Sequence, residues 1–326
     1  MKLQQLRYIW EVARHDLNVS ATALALYTSQ PGVSKQIRLL EDELGMEIFT
    51  RSGKHLTKVT PAGKKILKMA GEILNKIEGI KQLSRDHKNP NLGSLSVATT
   101  HTQTRYVLPA IVQSFIVKYP DITLNMIQGT TTQIIDSVVN GEVDFAMITE
   151  KVESQSNLIM MPCYHYSSVI LVPKEHPLSQ LADVTIEDIA GYPLLVQVLG
   201  NETIENYGIG KAFIQQGLKP NVVFNTGNAD VIKTYVRAGL GVGVIADVAY
   251  NDHDDSDLAV INMSSVLDVF LISIVIRKGS FLRSYMYNFI EAFAPHLDRR
   301  IVDEIMSLSS SEDQEKYFIN IDIPTR

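Results

Sequence analysis

The sequence predicts a mixed α/β chain with three parts: a small N-terminal helical module, one long helix and a two-lobed α/β body. Apolar residues recur at helical spacing through the first 45 residues and again from about residue 64 to residue 86. From Leu95 onward, short apolar strands alternate with helical stretches, as in sheets built from βαβ units. With 326 residues, 45% hydrophobic and 20% charged, the chain can form two or three globular units, which excludes a disordered or fibrous protein.

Three short helices are predicted before residue 45. The apolar positions from Leu3 to Ala13 follow a helical period, and Ser20 is expected to cap a second helix. Ser29 is the expected cap of the third helix, and Pro31 falls in its first turn, where a missing N–H costs little. The third helix carries a narrow apolar stripe made of Val33, Ile37 and Leu40.

The other face of the third helix is polar and basic. It combines amide and hydroxyl groups that can contact base edges with cations that bind phosphate, which a recognition helix in the major groove of double-stranded DNA requires. The alternative for any one of these side chains is an ordinary solvated helix face. The residues expected to contact DNA from this helix are Ser29, Gln30, Pro31, Ser34, Lys35 and Arg38.

A short hairpin is predicted after the third helix. Gly45 is expected to end the helix, and residues 48–60 predict two strands around a Ser-Gly turn, with Arg51 and Lys54 as basic residues of the tip. Two helices, a recognition helix and a wing make a winged helix-turn-helix over residues 1–60. The basic wing residues are expected to contact the DNA backbone beside the recognition helix.

Charge is unevenly distributed along the chain. The net charge is −6, which taken alone argues against a nucleic-acid partner. Residues 1–65 nevertheless contain ten Lys and Arg against six Asp and Glu, a net charge of +4, so the remaining residues carry −10. This asymmetry indicates a basic binding module joined to an acidic body.

One long helix is predicted over residues 61–88, opened by Pro61 and Gly63. One of its faces is apolar enough to pair with a copy of itself, so that two reading heads would meet a two-fold symmetric DNA site. The alternative is that this face packs on the same chain. The apolar positions are Ile66, Leu67, Ala70, Ile73, Leu74, Ile77, Ile80 and Leu83.

Residues 93–300 are predicted to fold into an effector domain of two similar α/β lobes joined by crossing strands. The first lobe is expected to comprise residues 93–162 and 266–300, and the second lobe residues 163–265. Open α/β sheets bind ligands at the carboxyl ends of their strands. The cleft between the lobes is therefore the expected ligand site.

Hydroxyl and amide side chains gather at the predicted strand ends. Thr100, Thr102 and Gln103 lie where the first strand gives way to a helix, so that free backbone N–H groups and the helix dipole meet the same point. Thr149 follows another strand at an equivalent end, and residues 130–132 follow a third. Such a site favours a small anion or carboxylate, although a helix cap is an equally good interpretation for any single threonine.

Several classes of protein are excluded by missing patterns. The sequence contains no run of about 18 apolar residues, the length that a membrane-spanning helix needs. Its first residues lack the pattern of a secretory signal. The chain is therefore expected in the cytoplasm without a membrane partner. The single cysteine, Cys163, offers neither an intrachain disulfide nor a zinc-binding pair. The histidines lack metal-binding spacing and no nucleophile motif occurs, so the sequence predicts no cofactor, no metal and no enzymatic activity.

Three remaining segments predict no chemistry of their own. The glycines of residues 239–243 lack the spacing of a dinucleotide-binding loop and are expected to connect a helix to a strand. The acidic residues 252–257 lack the glycine and closing glutamate of a calcium loop and are expected to be solvated. The polar tail, residues 301–326, is expected either to be partly disordered or to dock through residues 317–319.

Several segments resemble LysR-type transcriptional regulators and, among them, the CysB and Cbl subgroup, which governs sulfur assimilation and cysteine biosynthesis genes. Residues 28–38 and 40–45 are similar to the wider family, whereas residues 98–106 and 229–237 are similar to the subgroup. The resemblance extends over the whole chain and includes residues 127–129. It implies that the effector domain is periplasmic-binding-protein-like.

The resemblance also implies an activator that assembles as a tetramer, a dimer of dimers, binds promoter operators and contacts RNA polymerase. The implied effector is an acetylserine, N-acetylserine or O-acetylserine, with sulfate or thiosulfate as possible further ligands. Carried over to this chain, the pocket residues are Thr100, Thr102, Gln103, Thr149, Tyr166 and Thr203.

This sequence departs from the subgroup at residues 202–208. The subgroup usually has Thr-Gly-Arg-Ser there, whereas this chain lacks the arginine and has Glu202 and Glu205. One alternative is therefore a regulator of a related sulfur-source regulon, such as sulfonate use, with a different anionic effector. Another alternative is a small-molecule-binding protein or enzyme that uses the same cleft.

Overall fold

The computed structural model divides the chain into two compact units. One comprises Met1–Lys88 with Gly279–Phe281, and the other comprises Asn89–Lys278 with Leu282–Arg326. The residues described by the structure are 1–53, 55–149, 157–198, 208–263, 266–267, 269–308, 310–319 and 321–326. Within these ranges, no helix is both long enough and apolar enough to cross a lipid bilayer.

The N-terminal unit consists of three helices, a hairpin and a long helix. Its elements are α1 (Leu3–Arg14), α2 (Val19–Ala25), α3 (Gln30–Leu44), β1 (Phe49–Ser52), β2 (His55–Val59) and α4 (Pro61–Lys88). β1 and β2 pair antiparallel, with Phe49 opposite Val59. This order of elements confirms the predicted winged helix-turn-helix and the long helix that follows it.

Local sequence explains where these helices begin and end. Ser29 caps α3 as predicted, because its Oγ accepts a hydrogen bond from the backbone N–H three residues later at 3.3 Å. Gly45 ends α3 in the left-handed conformation, with φ at 67°, which glycine adopts at little cost. The predicted cap of α2 was wrong: Asn18 caps this helix instead of Ser20, since its Oδ1 accepts from the Ala21 N–H at 3.0 Å.

The apolar stripe of α3 faces the core of the N-terminal unit, as predicted. Val33, Ile37 and Leu40 are fully buried there. Burying each such side chain contributes about 2 kcal/mol, so the stripe holds one face of α3 inward and leaves the opposite face in solvent. The core residues around the stripe include Ile9, Val12, Ile48 and Phe49.

The apolar stripe of α4 is buried near the start of the helix and exposed further along. Near the start of the helix, Leu67 and Ala70 are buried in the core of the same unit. Further along, Ile73, Ile80 and Leu83 are exposed. The first part of the stripe therefore packs on its own module, and pairing with a second copy stays a prediction for the exposed part.

The second unit alternates strands and helices. Its strands are β3 (Gly93–Thr99), β4 (Ile122–Gln128), β5 (Phe145–Ile148), β6 (Leu158–Pro173), β7 (Leu194–Gln197), β8 (Val222–Thr226), β9 (Val242–Ala246), β10 (Leu258–Asn262) and β11 (Val269–Arg277). Its α-helices are α5 (Leu108–Lys118), α6 (Thr131–Asn140), α7 (Ile186–Ala190), α8 (Gly208–Gln215), α9 (Ala229–Arg237), α10 (Ser284–Phe293), α11 (Arg299–Ser307) and α12 (Ser311–Phe318). A π-helix at Gln103–Val107 precedes α5, and 3₁₀ turns lie at Pro177–Gln180 and Asp247–Ala249.

The described strands of this unit form one sheet. Their order is β4-β3-β5-β11-β6-β9-β7-β8, and β10 pairs with β6. β3, β4 and β5 are parallel in the first lobe, and β7, β8 and β9 are parallel in the second. The long strands β6 and β11 run antiparallel between the two sets. This topology confirms the predicted two-lobed α/β fold with crossing strands.

The tail docks onto the body, which was one of its two predicted states. α12 and most of α11 lie in the tail, and Phe318 is buried in the main core of the second unit. Tyr317 is half-buried beside it, whereas Ile319 stays exposed. Two of the three residues predicted to dock therefore do so.

Candidate functional site

The solvent face of α3 carries the side chains predicted to contact DNA. Gln30, Lys35 and Arg38 are exposed, and Ser34 is half-buried. Gln30 Nε2 donates to Ser34 Oγ at 3.1 Å, so these two polar groups lie on one patch. Ser29 uses its hydroxyl to cap the helix, and the exposed Pro31 lies in the first turn. The patch presents the amide, hydroxyl and cationic groups that base and phosphate contacts need.

Arg51 of the wing has a partner within the fold. Its guanidinium donates to the carboxylate of Glu41 on α3, which is 6% exposed. The same carboxylate accepts the backbone N–H groups of Ile48 and Phe49 at 2.9 and 3.1 Å. Glu41 thus fastens the start of the wing to the recognition helix, and Arg51 neutralises its buried charge. Lys54, the other predicted wing contact, lies outside the described residues.

A strand end and a π-helix form the first wall of the predicted effector site. β3 ends at Thr99, whose Oγ1 donates to the Met147 carbonyl at 3.2 Å. Thr100 is 2% exposed, and its Oγ1 has no hydrogen-bond partner among the described residues. The helix that follows opens into the π-helix at Gln103, a geometry that often occurs at functional sites. Thr102 and Gln103 are buried at this junction.

Gln197 joins this wall to the second lobe. It ends β7, and its Nε2 donates to Thr102 Oγ1 at 2.8 Å and to the Gly227 carbonyl at 3.2 Å. Its Oε1 accepts the Ala246 N–H at 3.1 Å. A single buried amide therefore makes hydrogen bonds with three groups, each at the end of a strand or helix. Because a buried polar group without partners is costly, these contacts fix the relative position of the lobes at the cleft.

Aromatic residues from the crossing strands form another wall. Tyr166 of β6 stacks on Phe270 of β11 with ring centroids 5.2 Å apart, and the two residues are direct neighbours in the sheet. Two residues earlier, the Tyr164 hydroxyl donates to Gln103 Oε1. Burial raises the pKa of Tyr164, so the phenol stays protonated and keeps this donor role.

These walls enclose a narrow cleft at the predicted position. Four predicted effector residues lie together in it, whereas Thr100 lies beside it and Thr203 lies outside the described residues. Thr130 instead caps α6, with its Oγ1 accepting the Gln133 N–H at 3.4 Å. The lining residues are Thr102, Gln103, Thr149, Tyr166, Ser168, Gln197, Ala246 and Phe270.

Four lining residues were not predicted from the sequence. Gln197 had a usable signal, since it is a polar residue directly after the apolar strand residues 194–196. Ser168, Ala246 and Phe270 had none, because their place in the cleft depends on the pairing of β6 with β9 and β11.

The cleft is suited to a small polar anion. Among the described residues that line it, the side chains are hydroxyl, amide, aromatic and aliphatic, without an Asp, Glu, Lys or Arg. Neutral donors at strand ends can bind an anion without the desolvation cost of a buried lysine or arginine. In the part of the chain that the structure describes, no group of three His, Cys, Asp or Glu side chains could hold a metal ion.

Comparison with known proteins identifies relatives of both units. The family model for the LysR substrate binding domain matches residues 88–298, and the model for the bacterial regulatory helix-turn-helix protein, lysR family, matches residues 3–64. The HTH-type transcriptional regulator CysB of Haemophilus influenzae is 45% identical over 326 residues, which is 100% of each chain.

Further relatives support the same assignment. The HTH-type transcriptional regulator cbl of Escherichia coli strain K12 is 36% identical and is matched over 98% of this chain and 100% of that protein. The crystal structure of the cofactor-binding domain of the Cbl transcriptional regulator is 31% identical, with a TM-score of 0.61, and covers 67% of this chain and 95% of that domain. One family therefore accounts for the helical module and the body alike.

Proposed function

Because this chain belongs to the LysR family of bacterial transcriptional regulators, as its motifs predicted, we propose that it binds promoter DNA and responds to a small anion or zwitterion in the cleft. The observation that carries the proposal is the cleft itself, where neutral donors from both lobes meet at strand ends. Its relatives are regulators, which agrees with a role in binding and not in catalysis.

The proposed effector is an acetylserine, with sulfate or thiosulfate as further ligands. The similarity to CysB and Cbl regulators supports control of sulfur assimilation and cysteine biosynthesis genes. The second candidate is a sulfur-source regulon such as sulfonate use, with a different anionic effector, because Glu202 and Glu205 flank the proposed contact Thr203 and change the pattern of the subgroup there. The proposed effector contacts are Thr100, Thr102, Gln103, Thr149, Tyr166 and Thr203.

The proposed DNA contacts lie on α3 and the wing. The exposed face of α3 supports them, as does the net charge of +4 over residues 1–65. We expect a dimer of dimers in the cytoplasm, paired in part through the exposed stripe of α4, and RNA polymerase as the partner in activation. The proposed contacts are Ser29, Gln30, Pro31, Ser34, Lys35, Arg38, Arg51 and Lys54.

Mobility shifts on promoters of sulfur genes test the proposal. At a stated salt concentration, the full chain should bind these promoters more tightly than competitor DNA, and N-acetylserine should change the affinity or the DNA bend. Equal affinity for competitor DNA refutes the regulator function. Specific binding that sulfonates change, and N-acetylserine does not, supports the second candidate.

Two variants separate the DNA site from the effector site. Arg38→Ala should weaken DNA binding, because one phosphate contact is lost. The slope of the logarithm of the binding constant against the logarithm of the salt concentration should become smaller by about 1. The same variant should leave N-acetylserine affinity unchanged. Thr102→Ala should weaken N-acetylserine binding and leave DNA binding unchanged. Lys219→Ala, which removes an exposed lysine of the body, should change neither DNA binding nor N-acetylserine affinity. Normal DNA binding by Arg38→Ala contradicts the placement of the recognition face.

A further inference from the structure

The tail segment, defined as residues 321–326, covers an open edge of β6. His165 pairs with β11 on one side and forms a parallel bridge with Thr325 on the other. The His165 N–H donates to the Pro324 carbonyl at 2.7 Å, and the Arg326 N–H donates to the His165 carbonyl at 2.9 Å. β9 pairs with β6 only from Ser168 onward. The tail segment thus occupies the stretch of β6 that leads into the cleft.

Arg326 reaches from this segment across the face of Tyr164. Its Cζ lies 4.5 Å from the centroid of the Tyr164 ring, and its Nη2 donates to the Phe293 carbonyl at 2.8 Å. Tyr164 is 1% exposed, and its ring lies 5.6 Å from that of Phe293. A guanidinium over a desolvated aromatic face is held by the ring quadrupole. Arg326 and Phe293 together therefore fix the plane of Tyr164.

The other end of Tyr164 contacts the effector cleft. Its hydroxyl donates to Oε1 of Gln103, which is 1% exposed and lines the cleft. A phenol that donates to Oε1 fixes the acceptor end of the amide and leaves Nε2 as the end that can donate to an anion. Burial raises the pKa of Tyr164, while the charge of Arg326 lowers it and polarises the O–H bond.

We propose that Arg326 is a positioning residue for the effector site. Through Tyr164, it orients the Gln103 amide with its donor toward the cleft and so raises the affinity for anions. This inference rests on the proposed function of the cleft. Arg326 is absent from the lining residues, so its effect on a ligand passes through the aromatic ring between them.

The same unit contains a matched control pair. Arg299 Cζ lies 4.8 Å from the centroid of the Tyr287 ring. The Tyr287 hydroxyl donates to Asp303, which does not line the cleft. Removing Arg299 therefore deletes a similar arginine–tyrosine contact without touching the chain of contacts to Gln103.

Calorimetric titration of the full chain with sulfate, and separately with N-acetylserine, tests the inference. Arg326→Ala should weaken anion binding about fivefold to tenfold, the effect of losing one well-oriented hydrogen bond, whereas Arg299→Ala should leave it unchanged. Arg326→Lys should recover part of the loss, because it restores a cation over the ring. Thermal unfolding of both alanine variants controls for a general loss of stability.

A double-mutant cycle shows the route of the effect. In a Tyr164→Phe background, adding Arg326→Ala should change the anion affinity by less than about twofold, because the hydroxyl link to Gln103 is already removed. A full additional loss overturns the inference, as does equal anion binding by Arg326→Ala and Arg299→Ala. Both results leave the proposed function standing. Failure of the wild-type chain to bind either sulfate or N-acetylserine overturns the proposed acetylserine and sulfate effectors, and this inference with them.

Discussion

Replacing Gln197 by glutamate tests whether the cleft binds anions. The two side chains have almost the same shape, so Gln197→Glu places a negative charge among the lining residues with little change in volume. An anion about 6 Å from the new charge, at an effective dielectric constant of about 20, is repelled by about 3 kcal/mol. The dissociation constant of N-acetylserine should therefore rise about a hundredfold.

The hydrogen bonds of Gln197 show what else this variant changes. One carboxylate oxygen can still accept the Ala246 N–H, and the other can accept from the Thr102 hydroxyl, which becomes the donor. The contact with the Gly227 carbonyl, 3.2 Å from Nε2, turns from attractive to repulsive. We expect a loss of stability of about 1–3 kcal/mol from this contact. Stability and affinity therefore have to be measured on the same samples.

Titration calorimetry at several pH values separates charge from misfolding. The control is Gln133→Glu, which adds the same charge at an exposed helix cap outside the cleft. Burial raises the pKa of the introduced carboxyl, so its protonation as the pH falls from about 7.5 to about 5 should restore part of the anion affinity. Anion binding by Gln197→Glu that equals binding by Gln133→Glu refutes an anion site at this cleft.

Two further predictions concern stability. Glu41→Ala should destabilise the N-terminal unit by about 2–4 kcal/mol in urea unfolding. The substitution removes the acceptor of two backbone N–H groups and leaves the charge of Arg51 without its partner carboxylate. An unchanged unfolding midpoint contradicts the attachment of the wing to α3 through Glu41. Asp255 belongs to the acidic segment predicted to be solvated, but it is buried. Burial raises its pKa, whereas hydrogen bonds from Lys233 at 2.6 Å and Arg237 at 3.0 Å hold the pKa below its usual value. The stability that comes from this lowered pKa is present at neutral pH and is lost as the pH falls below about 4. The melting temperature of Asp255→Asn should therefore fall less steeply with acid pH than that of the wild-type chain. An equally steep fall contradicts this origin of the acid sensitivity.

What could be predicted from the sequence depended on how far apart the interacting residues lie. The cap of α3 by Ser29 involves neighbours three residues apart, and a local rule was sufficient to find it. The same rule failed at Ser20 because Asn18, two residues earlier, is an equally good cap and the helix begins directly after it. Local capping rules predict that a helix begins in a region, but they do not choose between two equally good caps two residues apart.

From the residue pattern, the candidate effector site was predictable only along its strand ends, and Tyr166 was added by the resemblance to the subgroup. Thr102 and Gln103 follow β3, and Thr149 follows β5, so the rule that ligands bind at carboxyl ends of parallel strands placed them together. Ser168 and Phe270 enter through the antiparallel pairing of crossing strands, whose register no local pattern shows. Arg326 reaches Tyr164 across more than 150 positions of the sequence, a contact that only the folded sheet creates.

The contacts of Gln197 also indicate how a ligand could act at a distance. Its Nε2 already donates to Thr102 Oγ1 and to the Gly227 carbonyl. An anion that accepts a hydrogen bond from this Nε2 therefore has to replace one of these two acceptors. The hydrogen bond to Thr102 joins the segment after β3 to β7 across the cleft, and the bond from the Ala246 N–H ties the same amide to β9. A ligand can change the position of the lobes only by as much as it binds one arrangement better than the other. Shifting a two-state regulator from about 1:99 to about 99:1 takes about 5.5 kcal/mol of differential binding. The several neutral donors of the cleft, each contributing about 1 kcal/mol, approach this value only when the ligand engages both lobes at once.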